Sequence, residues 1–259
     1  MFAGFATSNH SSLSEECSLR RSTFLSSILQ SRRGHLLAGL LFGSGLLLGP
    51  AKASAHAAQA HRHESASLQL RAWRDLVAHA LPLSEVEQLE AVNQFFNHQA
   101  RYVEDQNLWG QFDYWATPLE LLELGAGDCE DFALAKYFTL RLLGVPEQRL
   151  RLVYSTMSST GEAHMVLGYW PDSGEVPLLL DNLREEILPV AQRHDLAMQF
   201  AFDADHLYRF DHRRLVMAGD AKLLPNWQAL QTRVKREVRQ VAAGGELAMT
   251  GSPSMAPPG

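Results

Sequence analysis

Cysteine is nearly missing from this chain, with two among 259 residues, at positions 17 and 129. Cys17 precedes an apolar stretch with the features of an export signal, so the exported protein would keep Cys129 alone. That excludes an intramolecular disulfide, and an unpaired thiol in an oxidising compartment needs a reason to persist. Long apolar runs are missing as well. Residues 36–48 form an apolar stretch too short to span a bilayer comfortably. It follows a polar segment carrying Arg20, Arg21, Arg32 and Arg33, ends at Gly49-Pro50, and is followed by the small-x-small site Ala53-Ser54-Ala55. This is the layout of a bacterial secretory signal, with cleavage after Ala55 or Ala57 and a periplasmic mature protein. An uncleaved anchor helix is the alternative, and no later segment is long and apolar enough to cross a membrane. Positive charge is scarce too. The chain carries −6, and removing residues 1–55, with five basic and two acidic side chains, leaves about −9. Phosphate binding wants a basic surface, so nucleic acid is excluded as a partner, whereas cations or basic partner surfaces suit an acidic exported protein.

What is present after the signal (residues 1–55) is about 200 residues, enough for one domain with a single core and without internal repeats. His56, His61 and His63 sit in an Ala/Gln/Ser-rich stretch, and residues 56–67 read as a solvated flexible arm rather than a metal tract. Helical spacing covers 68–80 and 84–99, the second opened by a Ser84/Glu87 capping box. Thr117-Pro118-Leu119-Glu120 repeats that signal before a short helix ending at Gly125. A further helix is expected over 129–143, burying Phe132, Ala135, Leu140 and Leu143, with Tyr137 and Phe138 widening the face. The period then changes. Strands are expected at 149–155, 163–170 and 177–181, the last two joined by a turn at Asp172-Ser173-Gly174, with more strand at 206–217. A last helix over 227–241 closes the domain of residues 68–241, and the Gly/Ala/Pro/Ser-rich tail 242–259 is expected to be disordered. Helices followed by an antiparallel sheet make an α+β fold.

Gly127-Asp128-Cys129-Glu130-Asp131-Phe132-Ala133 reads as a loop entering a helix, with the sulfur in the first turn. There the free N–H groups and the helix dipole favour thiolate, the reactive form. A cysteine nucleophile needs a base and a group that orients the base. His164 begins the second strand and Asp181 ends the third, so pairing of the two would bring them to one end of the sheet. Taken singly, a strand histidine is more often a core residue and an Asp-Asn after a strand more often a turn.

Asn107-Leu108-Trp109-Gly110, Asp113-Tyr114-Trp115-Ala116-Thr117-Pro118-Leu119-Glu120, the Gly127–Tyr137 segment, Ala163-His164-Met165-Val166-Leu167 and Leu180-Asp181-Asn182 together resemble the bacterial transglutaminase-like cysteine proteinases, of which the LapG-type periplasmic adhesin proteases are members. The resemblance covers roughly residues 68–217. It implies a papain-like/transglutaminase-like fold with Cys129 as nucleophile, His164 as proton carrier and Asp181 as its orienting partner. It implies as substrate the N-terminal region of a large surface adhesin, cut at a di-alanine site to promote biofilm dispersal. As regulator it implies an inner-membrane cyclic-di-GMP receptor that sequesters the protease through its periplasmic domain.

The resemblance also implies Ca²⁺, with Asp128, Glu130 and Asp131 as ligands. Three carboxylates around one thiol oppose its ionisation, and a hard cation bound to them would reverse that field. Asp128 and Asp131 also suit helix capping. The oxyanion donors expected are the Cys129 backbone N–H and the indole of Trp109 or Trp115. Two other classes share these residues: a transglutaminase or amidase using the same triad, and a non-catalytic calcium-binding interaction domain.

Overall fold

A computed structural model describes residues 50–171, 176–211 and 214–242. Helix α1 (Pro50–Ala80) begins well before the expected residue 68. Residues 56–67, expected as a flexible arm, are helical: no glycine or proline interrupts the chain between Pro50 and Pro82, and its alanines, glutamines and leucines favour helix. The expected signal up to residue 49, the side chains of His56, His61 and His63, the Asp172-Ser173-Gly174 turn and the tail from residue 243 lie outside the described residues. Among the described residues no helix is long and apolar enough to cross a membrane.

Helix α2 (Glu85–Gln99) starts at the expected capping box, with Ser84 and Glu87 bonded in both directions. A two-residue strand β1 (Arg101–Tyr102) and the short helix α3 (Asp105–Leu108) follow, neither expected from the sequence. Helix α4 (Pro118–Leu124) has its own capping box at Thr117 and Glu120, and Gly125 ends it in the left-handed region at φ 60°. Strand β2 (Ala126–Gly127) pairs in parallel with β1 and ties this segment to the loop that enters helix α5 (Cys129–Leu142). Gly127 is required there, since a Cβ would stand 2.6 Å from Asp131 Oδ2 and 2.7 Å from Leu121 Cδ1.

The sheet contains β3 (Leu150–Met157), β4 (Ala163–Tyr169), β5 (Leu178–Leu180), β6 (Leu188–Pro189), β7 (Leu196–Phe202), β8 (His206–Asp211) and β9 (Arg214–Asp220), in the order β6-β5-β4-β3-β7-β8-β9 with every pairing antiparallel. The α+β architecture is the one expected. Helix α5 packs on β3 and β4 from one side and is covered by α2 and α4 from the other. Phe132, Ala133, Leu134, Ala135, Tyr137 and Leu140 are all buried, as befits a helix apolar around its circumference rather than along one stripe. Each such leucine or phenylalanine contributes about 1.5–3 kcal/mol of transfer free energy, which fixes the helix and so its N-terminus.

Helix α6 (Pro225–Ala242) anchors through the fully buried Trp227, whose ring lies 5.5 Å from Phe202, 5.7 Å from Tyr137 and 5.9 Å from Phe138. On the same helix Glu237 accepts the Thr117 hydroxyl at 2.8 Å. Burial, with Glu120 and Glu123 nearby, raises its pKa from 4.5 to about 7 against the opposing effects of Thr117 and Arg233. A carboxyl raised on folding stabilises fully below its unfolded pKa, and that stability is lost as pH rises through the folded value. Glu237→Gln is therefore expected to melt above the wild type at pH 8, with the gap closing towards pH 4.5. Melts across that range check this; a gap independent of pH would refute it.

Candidate active site

Cys129 opens α5 and is 9% exposed. Its Sγ accepts the backbone N–H of Met165 at 3.4 Å and donates to Glu130 Oε2 at 3.1 Å. Met165 follows His164, so the start of β4 lies against the thiol. Among the described residues no hydrogen bond joins Sγ to His164 directly. Burial first, then Glu130 and Asp128, push the Cys129 thiol well above its ordinary range, so the helix N-terminus does not prevail in this arrangement.

His164, buried at the beginning of β4, bonds through Nε2 to Asp181 Oδ1 at 2.9 Å. Antiparallel pairing brings them together: Leu167 faces Leu180, and Asp181 is the next residue after β5. Asp181 Oδ1 also accepts the Leu183 N–H at 2.9 Å, and Oδ2 accepts Arg193 Nη2 at 2.6 Å. From α2, Asn97 Nδ2 donates to the carbonyls of Asp181 and Arg184, and Asn93 Nδ2 to that of Glu185, which holds the loop after β5. Burial pushes Asp181 upward, but the His164 bond and charge, the Leu183 N–H and Arg193 outweigh it and keep the carboxylate well below its usual range.

The carboxylates gather beside the thiol. Asp105, Asp128 and Asp131 place ligand atoms within 4.8 Å of one another, as do Asp105, Asp113 and Glu130. Asp131 supports the loop, accepting the N–H of Ala116 at 2.7 Å and that of Asp128 at 3.3 Å. Asp113 accepts the indole of Trp115 and the amide of Asn226, and Asp105 Oδ2 accepts the Tyr114 N–H. Asp105 Oδ1 and Asp128 Oδ1 are buried with no partner among the described residues. Burial above all, then neighbouring carboxylates, raise Asp105 to about 6, and Asp128, Glu130 and Asp131 also rise. Orphaned carboxylate oxygens in a buried acidic cluster are the donor set that a hard divalent cation takes, so these residues fit a metal ion.

Sequence reasoning assigned no role to Asp105, Asp113 or Arg193. Asp113 opens the Asp113–Glu120 run and was legible there; Asp105 heads a four-residue helix and Arg193 lies in a loop, where periodicity carries no signal. Trp115 does not offer a free indole, because its Nε1 donates to Asp113 at 2.9 Å. Trp109, its ring tilted against Tyr114 with centroids 4.3 Å apart, keeps a buried Nε1 with no partner among the described residues.

A family model for the bacterial transglutaminase-like cysteine proteinases matches residues 59–200. Among solved structures, EGTA-treated Legionella pneumophila LapG is 40% identical over 65% of this chain and 89% of its own, with a TM-score of 0.59. Calcium-bound Legionella pneumophila LapG is 35% identical over 68% of this chain and 96% of its own, with a TM-score of 0.58. No curated protein sequence matches the chain. With a family match over more than half its length and neighbours of the same α+β fold, this chain is a member of the bacterial transglutaminase-like cysteine proteinases.

Proposed function

We propose that this protein is an exported, calcium-dependent cysteine endopeptidase that uses Cys129, His164 and Asp181 as its triad. The observation that carries the reading is the His164–Asp181 bond at 2.9 Å beside a thiol lying 3.4 Å from the next backbone N–H. In this reaction the Cys129 proton passes to His164, and Sγ attacks the peptide carbonyl. His164 then protonates the departing amine, and water hydrolyses the thioester with His164 as base. Asp181 would hold the imidazole by Nε2, leaving its other nitrogen to exchange the proton with the sulfur. The Cys129 N–H and the unpaired Trp109 indole are the candidate oxyanion donors.

Asp105, Asp113, Asp128, Glu130 and Asp131 would hold Ca²⁺, with Asp131 also shaping their loop. Bound there, the cation would offset the carboxylate field that opposes a Cys129 thiolate. The solved calcium-bound and EGTA-treated forms of Legionella LapG, 35% and 40% identical to this chain, support this choice of metal. Likeness to LapG also underlies the finer reading: the substrate is the N-terminal region of a large surface adhesin cut at a di-alanine site in the periplasm, and the partner is an inner-membrane cyclic-di-GMP receptor.

The test is cleavage of an adhesin N-terminal fragment containing an Ala-Ala pair, followed by mass spectrometry with Ca²⁺ and with EGTA. A new N-terminus between the alanines, formed only with Ca²⁺, is expected. Incorporation of a primary amine without cleavage would make the protein an acyl transferase. Absence of both, with a thiol inert to iodoacetamide in Ca²⁺, would make it a binding domain.

A further inference from the structure

Asp181 is built to be held from two sides. Its side chain has no solvent exposure, and its Oδ1 bonds His164 Nε2 directly at 2.9 Å. A carboxylate on a single bond rotates readily, because the last torsion of aspartate is broad and roughly two-fold. If only Oδ1 were engaged, rotation would carry it away from His164 Nε2. The second oxygen is pinned: Oδ2 accepts Arg193 Nη2 at 2.6 Å. Arg193 is itself immobilised, with its side chain 1% exposed and its Nε and Nη2 each 2.9 Å from the two oxygens of Asp195. Asp195, 30% exposed, is approached from outside by Arg184 at 3.6 Å. The chain Asp195–Arg193–Asp181–His164 thus runs from the surface to the imidazole. Only the planar guanidinium fork spans it, since one edge grips Asp195 at two points while the shared Nη2 reaches Asp181.

We infer that Arg193, clamped by Asp195, is a positioning residue of this reaction: it fixes the carboxylate of Asp181 so that Oδ1 stays on His164. The inference rests on the triad reading given above. Arg193 acts through Asp181 and touches neither substrate nor the sulfur. A lysine would supply the charge without the two-point grip, so charge and orientation are separable by substitution.

The experiment measures kcat and KM for cleavage of the same adhesin fragment in Ca²⁺ by wild type, Arg193→Gln, Arg193→Lys and Asp195→Asn, and by Asp181→Asn with and without Arg193→Gln. Misplacing a catalytic group costs on the order of 10²-fold. Arg193→Gln is expected to lower kcat by about that factor with KM within about twofold, and Arg193→Lys to recover only part of it. In the Asp181→Asn background, Arg193→Gln should add nothing, because the carboxylate it positions is gone. Circular dichroism establishes folding; if Arg193→Gln does not fold, Asp195→Asn, altered at a partly exposed site, serves in its place with a smaller loss of kcat. Wild-type kcat in the Arg193 and Asp195 variants, or an equal loss in both backgrounds, would overturn the inference and leave the triad standing. Wild-type activity in Asp181→Asn alone would instead overturn the triad reading, and this inference with it.

Discussion

Cys129→Ala is expected to bring peptide cleavage down to background, a loss on the order of 10⁵–10⁶-fold, as when a nucleophile acting in a triad is removed. No other thiol stands among the described residues. The fold should persist, because the side chain removed is small and α5 is fixed by the leucines and aromatics around it. The cost is local. Met165 N–H, which bonds Sγ at 3.4 Å, loses its acceptor, and an unsatisfied buried donor costs about 1–3 kcal/mol. Cys129→Ser keeps an acceptor at that position and should be equally inactive but nearer to wild-type stability. Cleavage rates and thermal melts of the two variants test both halves. Residual activity within tenfold of the wild type in either would remove Cys129 from the chemistry.

The second large effect follows from the carboxylates. Chelation of Ca²⁺ should abolish cleavage and lower the melting temperature together, because the ion would bind only the folded cluster. A ligand at a hundredfold excess over its Kd stabilises by about 2.7 kcal/mol, a rise of roughly 5–10 °C in Tm for a domain of this size. Asp105→Asn and Asp128→Asn change two side chains whose Oδ1 atoms are buried and unpaired. Each should reduce the Ca²⁺-dependent rise in Tm while easing carboxylate repulsion in the metal-free protein. Melts titrated with Ca²⁺ give this readout independently of activity. A Tm that does not respond to millimolar Ca²⁺ would show that the cluster is not a calcium site.

Much of the local structure was legible because it is written in short spacings. Ser84 with Glu87, and Thr117-Pro118 with Glu120, fix helix starts from residues three apart. Gly125 marks a helix end, and the apolar strands after residue 149 show their change of period. Strand β7 was missed although Leu196, Met198, Phe200 and Phe202 alternate along it, and its place between β3 and β8 completes the sheet. Helix α5 was legible as amphipathic, yet most of it is buried, Lys136 included. A lysine reads as a solvent-facing residue, and nothing local says that α2 and α4 will pack on this helix. Burial in turn brings the Lys136 ammonium down to about 7, against the opposing field of Asp181.

The sequence by itself determined the longer helices, several of the strands, and that Cys129, His164 and Asp181 stand at element ends where side chains can meet. Those are properties of neighbouring residues, set by capping, dipole and period. Only the tertiary structure decided that Asp105 and Asp113 join the acidic cluster and that Arg193 holds Asp181. These contacts close loops between distant or irregular segments. Their partners are set by sheet register and by the packing of α5, which no window of adjacent residues contains.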